Sequence, residues 1–303
     1  MIDVNEIQGF HIEPTNMCTL KCPGCARTRF IEQWPQHWQN RNLDIDNLLH
    51  FLDIDLTGKK FNLCGNYGDP IYHPQMIEFV RRLKHKGAIV SITTNGSYKD
   101  ANWWQDLVGL LDHSDSIAFS VDGSPANFTK YRINGDWNTI RVGMETVAKA
   151  TCNSTWKYIA FAFNENDIES TRELSRNIGI KQFTLERSDR FDHQTADFQP
   201  INVELLGDRF EAQQQFKKQE KLIVNPKCVK NNKEHFITAE GFYSPCCYVA
   251  DHRFYYKTEF GKNKKIYNIT DITLTKVLNK PEVVDFYNNL QKNSACQYNC
   301  PKI

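Results

Sequence analysis

The chain has 303 residues, enough for one large domain or for a large and a small domain with well-buried cores. Its 37 basic and 36 acidic side chains give a net charge of +1, so no charge excess indicates a nucleic acid or membrane partner. The N-terminal segment lacks a basic stretch followed by an apolar run, and no apolar run approaches the ~20 residues of a membrane span. We therefore expect a cytoplasmic protein.

Short apolar or β-branched runs alternate with helical patterns in the first two thirds of the chain. The predicted strands are 9–14, 60–64, 88–93, 116–121, 158–163 and 182–185. The predicted helices between them are 43–56, 74–86, 100–111, 138–150 and 167–178. A strand followed by a helix, repeated this often, predicts an α/β fold in which helices cover a parallel sheet, either open or closed into an incomplete barrel.

The periodicity weakens after residue 188, where a polar loop precedes a predicted bridging helix at 203–218. The tail has short predicted strands, many aromatic residues and several cysteines. We therefore predict three parts: a main α/β domain at 1–190, a linker with the bridging helix at 191–225, and a small α+β domain at 226–303.

Polar or glycine-rich segments follow five of the predicted strands. They are the cysteine loop CTLKCPGC, then CGNYGDP, TTNGS, SVDGS and FNEND. The carboxyl ends of parallel strands meet at one edge of a sheet, where active sites of α/β folds gather. The pattern thus predicts a single catalytic face.

Eight of the ten cysteines form two separated groups, and Cys64 and Cys152 stand alone between them. One group is Cys18, Cys22 and Cys25. The other lies in the last quarter of the chain and consists of Cys228, Cys246, Cys247, Cys296 and Cys300. Without a secretion signal, disulfides are not expected, because the cytosol keeps thiols reduced. The grouping instead predicts two metal or cluster sites.

The first group offers three thiolates from one short loop. Three thiolates hold three irons of a four-iron, four-sulfur cluster and leave the fourth iron open, as catalytic metal sites do. A structural zinc site needs a fourth ligand, which His11 or His37 could supply. The loop alone leaves both interpretations open.

A C-x3-C-x2-C segment directly after a first strand resembles the radical S-adenosylmethionine (SAM) superfamily. The resemblance implies an incomplete (β/α)6 barrel, with Cys18, Cys22 and Cys25 as ligands of a SAM-binding 4Fe-4S cluster. In that family the open iron binds SAM, and an electron from the cluster cleaves SAM to methionine and a 5′-deoxyadenosyl radical. The radical abstracts a hydrogen atom from the substrate.

The segment Tyr67-Gly68-Asp69-Pro70 resembles the GGEP segment of the same family, whose backbone and acid hold the amino group of SAM. Tyr67 replaces the first glycine, and Asp69 is one methylene shorter than the usual glutamate. An aspartate can still accept a hydrogen bond from an ammonium group. The resemblance therefore implies that these four residues contact SAM.

The next two loops also resemble SAM-binding segments. The family's TNG segment corresponds to Thr94, Asn95 and Gly96, and its SxDG segment includes Ser120 and Asp122. Both segments contribute side chains near the ribose and the methionine carboxylate, so the resemblance assigns Thr94, Asn95, Ser120 and Asp122 to SAM binding.

Two further positions bear on SAM. Arg132 stands in a segment that resembles the YRxxG element of one subgroup, where the arginine pairs with the SAM carboxylate, as its bidentate fork suits. Gly24 precedes the third cysteine, where the family usually has an aromatic residue. Adenine would therefore meet backbone at Gly24.

The second cysteine group begins with C-x12-G-x4-C, from Cys228 through Gly241 to Cys246. This spacing resembles the opening of the SPASM/twitch extension found on some radical SAM proteins. The resemblance implies one auxiliary iron–sulfur cluster, most simply 4Fe-4S, in a small twitch-like α+β domain. Its ligands would be Cys228, Cys246, Cys296 and Cys300, with Cys247 an alternative to Cys246 or Cys300, and a four-cysteine zinc site is the other interpretation.

The resemblance implies a radical SAM enzyme of the oxidoreductase type, in which the auxiliary cluster accepts the electron left on the substrate radical. We expect a two-electron oxidation of a small molecule, because no leader-peptide-binding segment precedes the first cluster loop. A peptide or protein side chain is the alternative substrate, and a flavodoxin or ferredoxin is the expected reductant. A non-enzymatic zinc-binding or interaction protein is the alternative of another class.

Overall fold

The computed structural model describes residues 3–189, 191–210, 223–226 and 235–301. One eight-stranded sheet runs through the molecule in the order β6-β5-β4-β3-β2-β1-β7-β8. The strands are β1 (Gly9–Ile12), β2 (Lys60–Leu63), β3 (Ile89–Thr94), β4 (Ser116–Ser120), β5 (Asn153–Ile159), β6 (Gln182–Glu186), β7 (His235–Ile237) and β8 (Tyr243–Ser244).

The first six strands pair in parallel, each with its neighbour in sequence. The α-helices that follow the strands of this part are α1 (Ala26–Gln33), α2 (Ile45–Phe51), α3 (Met76–His85), α4 (Ala101–Val108), α5 (Trp137–Ala148) and α6 (Ile168–Ile178). Strand order follows chain order from β1 to β6, so the sheet is an open, partial barrel, and the predicted α/β fold is confirmed.

The C-terminal part adds to the same sheet. Strand β7 pairs in parallel with β1, and β8 returns antiparallel to β7 after a turn at Gly241, which has a φ of 81°. The other helices among the described residues are short: α7 (His252–Tyr255), α8 (Glu259–Lys262), α9 (Leu274–Leu278), α10 (Pro281–Asn288) and α11 (Ser294–Asn299).

Strand β1 lies in the middle of the sheet and in the core of the protein. All four residues of β1 are buried, and β1 has a parallel neighbour on each side, β2 and β7. Phe10 and Phe61 pack across β1 and β2, with ring centroids 5.2 Å apart. The helices α2, α4 and α5 each begin at an aspartate that accepts a backbone N–H of the first turn: Asp44, Asp100 and Asp136.

Two predicted elements differ from the structure. The strand predicted at 158–163 is β5, Asn153–Ile159, in which Ser154, Trp156 and Tyr158 are buried in alternation. The prediction followed the apolar run at 158–163 and missed the alternation in the residues before it. Of the bridging helix predicted at 203–218, the structure describes a 3-10 turn at Val203–Leu205, and 211–218 lie outside the described residues. Among the described residues, no helix is long and apolar enough to cross a membrane.

Candidate functional site

The first cysteine group lies in the loop that joins β1 to α1. Cys25 is the N-cap residue of α1, and its backbone N–H donates to the carbonyl of Cys22 at 3.0 Å. Two side chains from other loops donate toward the sulfurs: Asn95 Nδ2 lies 3.5 Å from Cys18 Sγ, and Arg132 Nη1 lies 3.9 Å from Cys22 Sγ. Three separate loops therefore meet at the three thiols.

Burial has the largest effect on the pKa values of Cys18 and Cys22. It raises the pKa of Cys18 to about 12, and the nearby charge of Asp69 adds to the effect. Burial also raises the pKa of Cys22 to about 11, against the opposing charge of Arg132. Bound iron would supply the positive charge that such thiols need in order to ionise.

The residues present fit a four-iron cluster. The three sulfurs come from one loop, Cys22 is buried, and side-chain N–H groups point to the sulfurs of Cys18 and Cys22, which is the usual surrounding of iron-bound thiolates. His11, which the zinc interpretation considers as a fourth ligand, instead places Nε2 2.6 Å from the carbonyl oxygen of Cys64. The arrangement supports a cluster whose fourth iron has no protein ligand.

Asp69 joins the loops after β2 and β3. Its Oδ1 accepts hydrogen bonds from Thr94 Oγ1 at 2.8 Å and from the backbone of Ile71 at 3.2 Å. Its Oδ2 accepts the backbone N–H of Asn95 at 2.6 Å and the side-chain amide of Asn95 at 2.5 Å. Burial raises the pKa of Asp69 to about 6. The structure thus brings together three predicted SAM contacts, with Asn95 also reaching Cys18.

Asp122 and Arg132 form the second polar pair of the site. Arg132 Nε donates to Asp122 Oδ2 at 2.7 Å, and the other carboxylate oxygen accepts the backbone N–H of Ile159 at 2.9 Å. Asp122 is fully buried, and burial raises its pKa despite Arg132. Burial works to lower the pKa of Arg132, but the charge of Asp122 raises it. Arg132 thus stays charged beside the cysteine loop.

The remaining predicted SAM contacts border this polar core. The backbone of Tyr67 and Gly68 donates to the carboxylate of Glu13, and Pro70 opens a buried 3-10 turn, Pro70–Tyr72. Ser120 is the last residue of β4 and is half-buried. Gly24 lies against Tyr131, since a Cβ on Gly24 would collide with the Tyr131 hydroxyl.

Tyr131 is a site residue that the sequence reasoning did not assign. Its ring lies 4.3 Å from that of Phe161, centroid to centroid, and its hydroxyl takes the space that a side chain at position 24 would need. Two signals were available: Tyr131 is the tyrosine of the YRxxG element, and the absence of a side chain at Gly24 left space beside the third cysteine.

A cavity of about 1290 Å³ adjoins the cysteine loop. We call it the chamber. Gly24 and α1 form one wall, the segment after β6 forms another, and the C-terminal part closes it with Tyr248, Arg253 and Tyr298. Three arginine–aspartate pairs line the chamber: Arg29–Asp192, Arg209–Asp189 and Arg253–Asp251.

These pairs were missed because no spacing in the sequence marks them. Arg29 and Asp192 are 163 positions apart, yet they form two hydrogen bonds, at 2.5 and 3.0 Å. A bidentate pair of this kind fixes both side chains. It therefore holds α1, which follows the cysteine loop, against the segment after β6.

The second cysteine group is partly described. Cys246 and Cys296 are buried, and Cys300 is half-buried at the end of α11. The backbone N–H of Tyr248 lies 3.3 Å from Cys246 Sγ, a donor of the kind that iron–sulfur ligands receive. Cys228 lies outside the described residues. The buried thiols and the N–H donor fit an auxiliary iron–sulfur cluster, whose ligand set stays a prediction.

Comparisons with known proteins agree with this geometry. The model of the radical SAM superfamily matches residues 12–175, and that of the SPASM iron–sulfur cluster-binding domain matches residues 228–301. The "tungsten-containing aldehyde ferredoxin oxidoreductase cofactor-modifying protein" of Pyrococcus furiosus is 29% identical over 119 residues. That alignment covers 38% of this chain and 31% of the relative, so it spans under a third of the relative's length.

Two solved structures have the same fold. SuiB of Streptococcus suis, bound to the precursor peptide SuiA, superposes with a TM-score of 0.61 at 12% identity, covering 94% of this chain and 66% of that one. SuiB bound to S-adenosylmethionine superposes with a TM-score of 0.58 at 10% identity, covering 95% and 75%. The chain spans about two thirds of the peptide-bound SuiB chain.

The two family models account for both cysteine groups. The first implies a 4Fe-4S cluster and SAM, and the second implies an auxiliary iron–sulfur cluster. The first model alone matches more than half of the chain. This chain is a radical SAM enzyme: it belongs to the radical SAM superfamily and carries a SPASM-type iron–sulfur domain.

Proposed function

We propose that this enzyme abstracts a hydrogen atom from a substrate held in the chamber, and that the net reaction is a two-electron oxidation. The observation that carries the proposal is the position of the chamber, which Gly24 of the cysteine loop borders on one side and Tyr248 and Asn299, close to Cys247 and Cys300, border on the other. A substrate there lies between the two cysteine groups.

When bound, SAM and its cluster supply the 5′-deoxyadenosyl radical that takes the hydrogen atom, and the auxiliary cluster supplies an acceptor for the electron left on the substrate. The chain's own residues orient and enclose these groups. Arg132 is a fixed cation for the SAM carboxylate, and Asp69 holds Thr94 and Asn95 in place. The Arg29–Asp192 pair ties the walls of the chamber together.

The chamber favours a peptide or a protein side chain as substrate. Its volume of about 1290 Å³ exceeds the roughly 300–1,000 Å³ of ordinary small-molecule pockets. Among the described residues, each arginine of the chamber already has an aspartate partner, so none is left unpaired to fix a small anion. Aromatic walls such as Tyr248, Phe254 and Tyr298 suit the side chains of a peptide segment.

A small molecule is the second candidate substrate. SAM would itself occupy part of the space beside Gly24, which reduces the volume left for a substrate. The chamber has a polar lining, to which the short C-terminal helices contribute, and this lining would also suit a hydroxylated molecule. The reductant in either case is a small electron carrier such as flavodoxin or ferredoxin.

Deuterium transfer distinguishes the two substrates. Cells that make the protein are grown in deuterated medium, and their extract is divided into a protein and peptide fraction and a low-molecular-weight fraction. Each fraction is incubated with reconstituted, reduced enzyme and unlabelled SAM, and 5′-deoxyadenosine is analysed by mass spectrometry. We expect deuterium from the peptide fraction only, and none with a Cys18→Ala/Cys22→Ala/Cys25→Ala control.

Transfer from the low-molecular-weight fraction alone would overturn the peptide assignment in favour of the small molecule. Deuterium-free 5′-deoxyadenosine from both fractions would contradict hydrogen abstraction from an external substrate.

A further inference from the structure

Glu13 is a buried carboxylate directly after β1. Its residue is 2% exposed, and its own backbone N–H donates to the carbonyl of Ile237 in β7 at 2.9 Å. Glu13 Oε1 accepts the backbone N–H of Tyr67 at 2.7 Å and that of Gly68 at 3.4 Å. Glu13 Oε2 accepts the backbone N–H of Ala239 at 3.3 Å. One side chain therefore bonds two distant segments.

The two segments belong to different cofactor sites. Tyr67 and Gly68 stand in the predicted SAM-binding segment, just before Asp69. Ala239 stands in the turn between β7 and β8, which leads to Cys246. The carboxylate of Glu13 thus lies between the predicted SAM-binding segment and the β7–β8 hairpin, which leads to the second cysteine group.

The loop after β2 contacts the C-terminal part at two further points. Asn66 Nδ2 donates to the carbonyl oxygen of Cys247 at 2.8 Å, and the Tyr67 hydroxyl accepts the backbone N–H of His252 at 3.0 Å. Residues 66–68 are therefore bonded on one side to Glu13 and on the other to the segment that contains the second cysteine group.

Gly65 leaves the space that the Glu13 carboxylate occupies. A Cβ at Gly65 would lie 2.5 Å from Glu13 Oε1, so a side chain there would displace the glutamate. Among the described residues, no cation makes an ion pair with Glu13, and burial raises its pKa to about 7, against the backbone N–H groups. Burying a carboxylate without a cation destabilises the folded state. A contribution to stability therefore does not explain why a glutamate stands at this position.

We propose that Glu13 is a positioning residue that sets residues 66–68 against the β7–β8 hairpin, and so fixes the SAM-binding segment relative to the auxiliary site. It acts through the backbone of Tyr67, Gly68 and Ala239 and touches neither cofactor. The inference rests on the proposed assignment of residues 67–70 to SAM.

The test compares Glu13→Gln with the wild-type chain, both reconstituted anaerobically with iron and sulfide. Glutamine keeps the shape but turns an amide N–H₂ toward backbone donors, so at least one of these hydrogen bonds is lost. We expect SAM to bind about tenfold more weakly in equilibrium dialysis. Backbone hydrogen exchange should rise at residues 65–68 and at 238–247 together.

The matched control is Glu145→Gln, the same chemical change on the exposed side of α5, where Glu145 pairs with Arg141. It should bind SAM and exchange hydrogen as the wild type does. If Glu13→Gln does not yield cluster-loaded protein, Glu13→Asp serves the same test, because the shorter side chain keeps the charge but lacks the reach.

Wild-type SAM affinity in the Glu13 variant would overturn the proposal, as would increased exchange in one of the two segments alone or uniformly over the sheet. The uniform rise is the result expected of a merely structural residue. SAM cleavage by the wild-type enzyme, measured beside it, tests the proposed function separately.

Discussion

Asp69 shows how much of the first site depends on one side chain. Four hydrogen bonds, from Ile71, Thr94 and both nitrogens of Asn95, fill the acceptor positions of its two oxygens. Its shorter side chain lets it bond to the neighbouring loop, where a longer glutamate would extend further. Its predicted contact with the amino group of SAM stays a prediction, whereas its contact with the loop after β3 is direct.

We therefore predict that Asp69→Asn weakens SAM binding by about tenfold, because an amide N–H₂ would face N–H donors in a buried site. Equilibrium dialysis with radiolabelled SAM measures the change. Asp106→Asn, on the exposed face of α4, is the control and should bind as the wild type does. Equal affinities of the two variants would contradict the role of Asp69.

The close packing around Gly68 leads to a second prediction for a single residue. A Cβ on Gly68 would overlap the carbonyl oxygen of Thr15, a backbone atom that has no room to move, whereas a Cβ on Gly58 meets nothing within 4 Å. Gly58→Ala should cost ~1 kcal/mol, owing to its positive φ of 71°. Gly68→Ala should lower the free energy of unfolding by more than Gly58→Ala, and urea titration of both variants measures this. If Gly68→Ala lowers the free energy of unfolding by no more than Gly58→Ala does, the close approach of position 68 to the Thr15 carbonyl is contradicted.

At the scale of elements, the central strands contain two buried histidines. His11 in β1 and His235 in β7 are on adjacent strands, and burial lowers the pKa of each to about 4 from 6.5. The unfolded chain therefore binds protons on these side chains between pH 6.5 and 4 while the folded chain does not. Their contribution to stability is present above pH 6.5 and is lost as the pH falls through this window.

His235→Asn removes one of these titrations. Relative to the variant, the wild type should lose up to about 3 kcal/mol of unfolding free energy between pH 6.5 and 4, with the difference constant above pH 7. Urea unfolding at a series of pH values gives the difference directly. A difference that does not change with pH would show that His235 titrates normally in the fold.

The elements also show what the sequence could predict and what it could not. The parallel strands and the loops after them were predictable, because β-branched runs and glycine-rich segments alternate regularly. The tail was predicted to contain short strands, but the pairing of β7 with β1 was not predictable, since it joins residues more than 200 positions apart. Arg29–Asp192 and Glu13–Ala239 join residues far apart in the chain, and only the folded sheet brings them together.

At the scale of the molecule, one sheet carries both predicted cofactor sites. Strand β1 pairs with β2 on one side and with β7 on the other, so the first cysteine loop and the C-terminal hairpin leave the sheet at neighbouring strands. Glu13 and Asn66 bond across this junction. In the proposed function, a substrate in the chamber would lie beside both sites, which suits the proposed oxidation.

Formation of 5′-deoxyadenosine from SAM tests this division of roles most directly. We compare the reduced, anaerobically reconstituted wild type with Cys18→Ala/Cys22→Ala/Cys25→Ala and with Cys246→Ala/Cys296→Ala. The account predicts 5′-deoxyadenosine from the wild type and from the second variant, and none from the first. Production of 5′-deoxyadenosine by the first variant would contradict it.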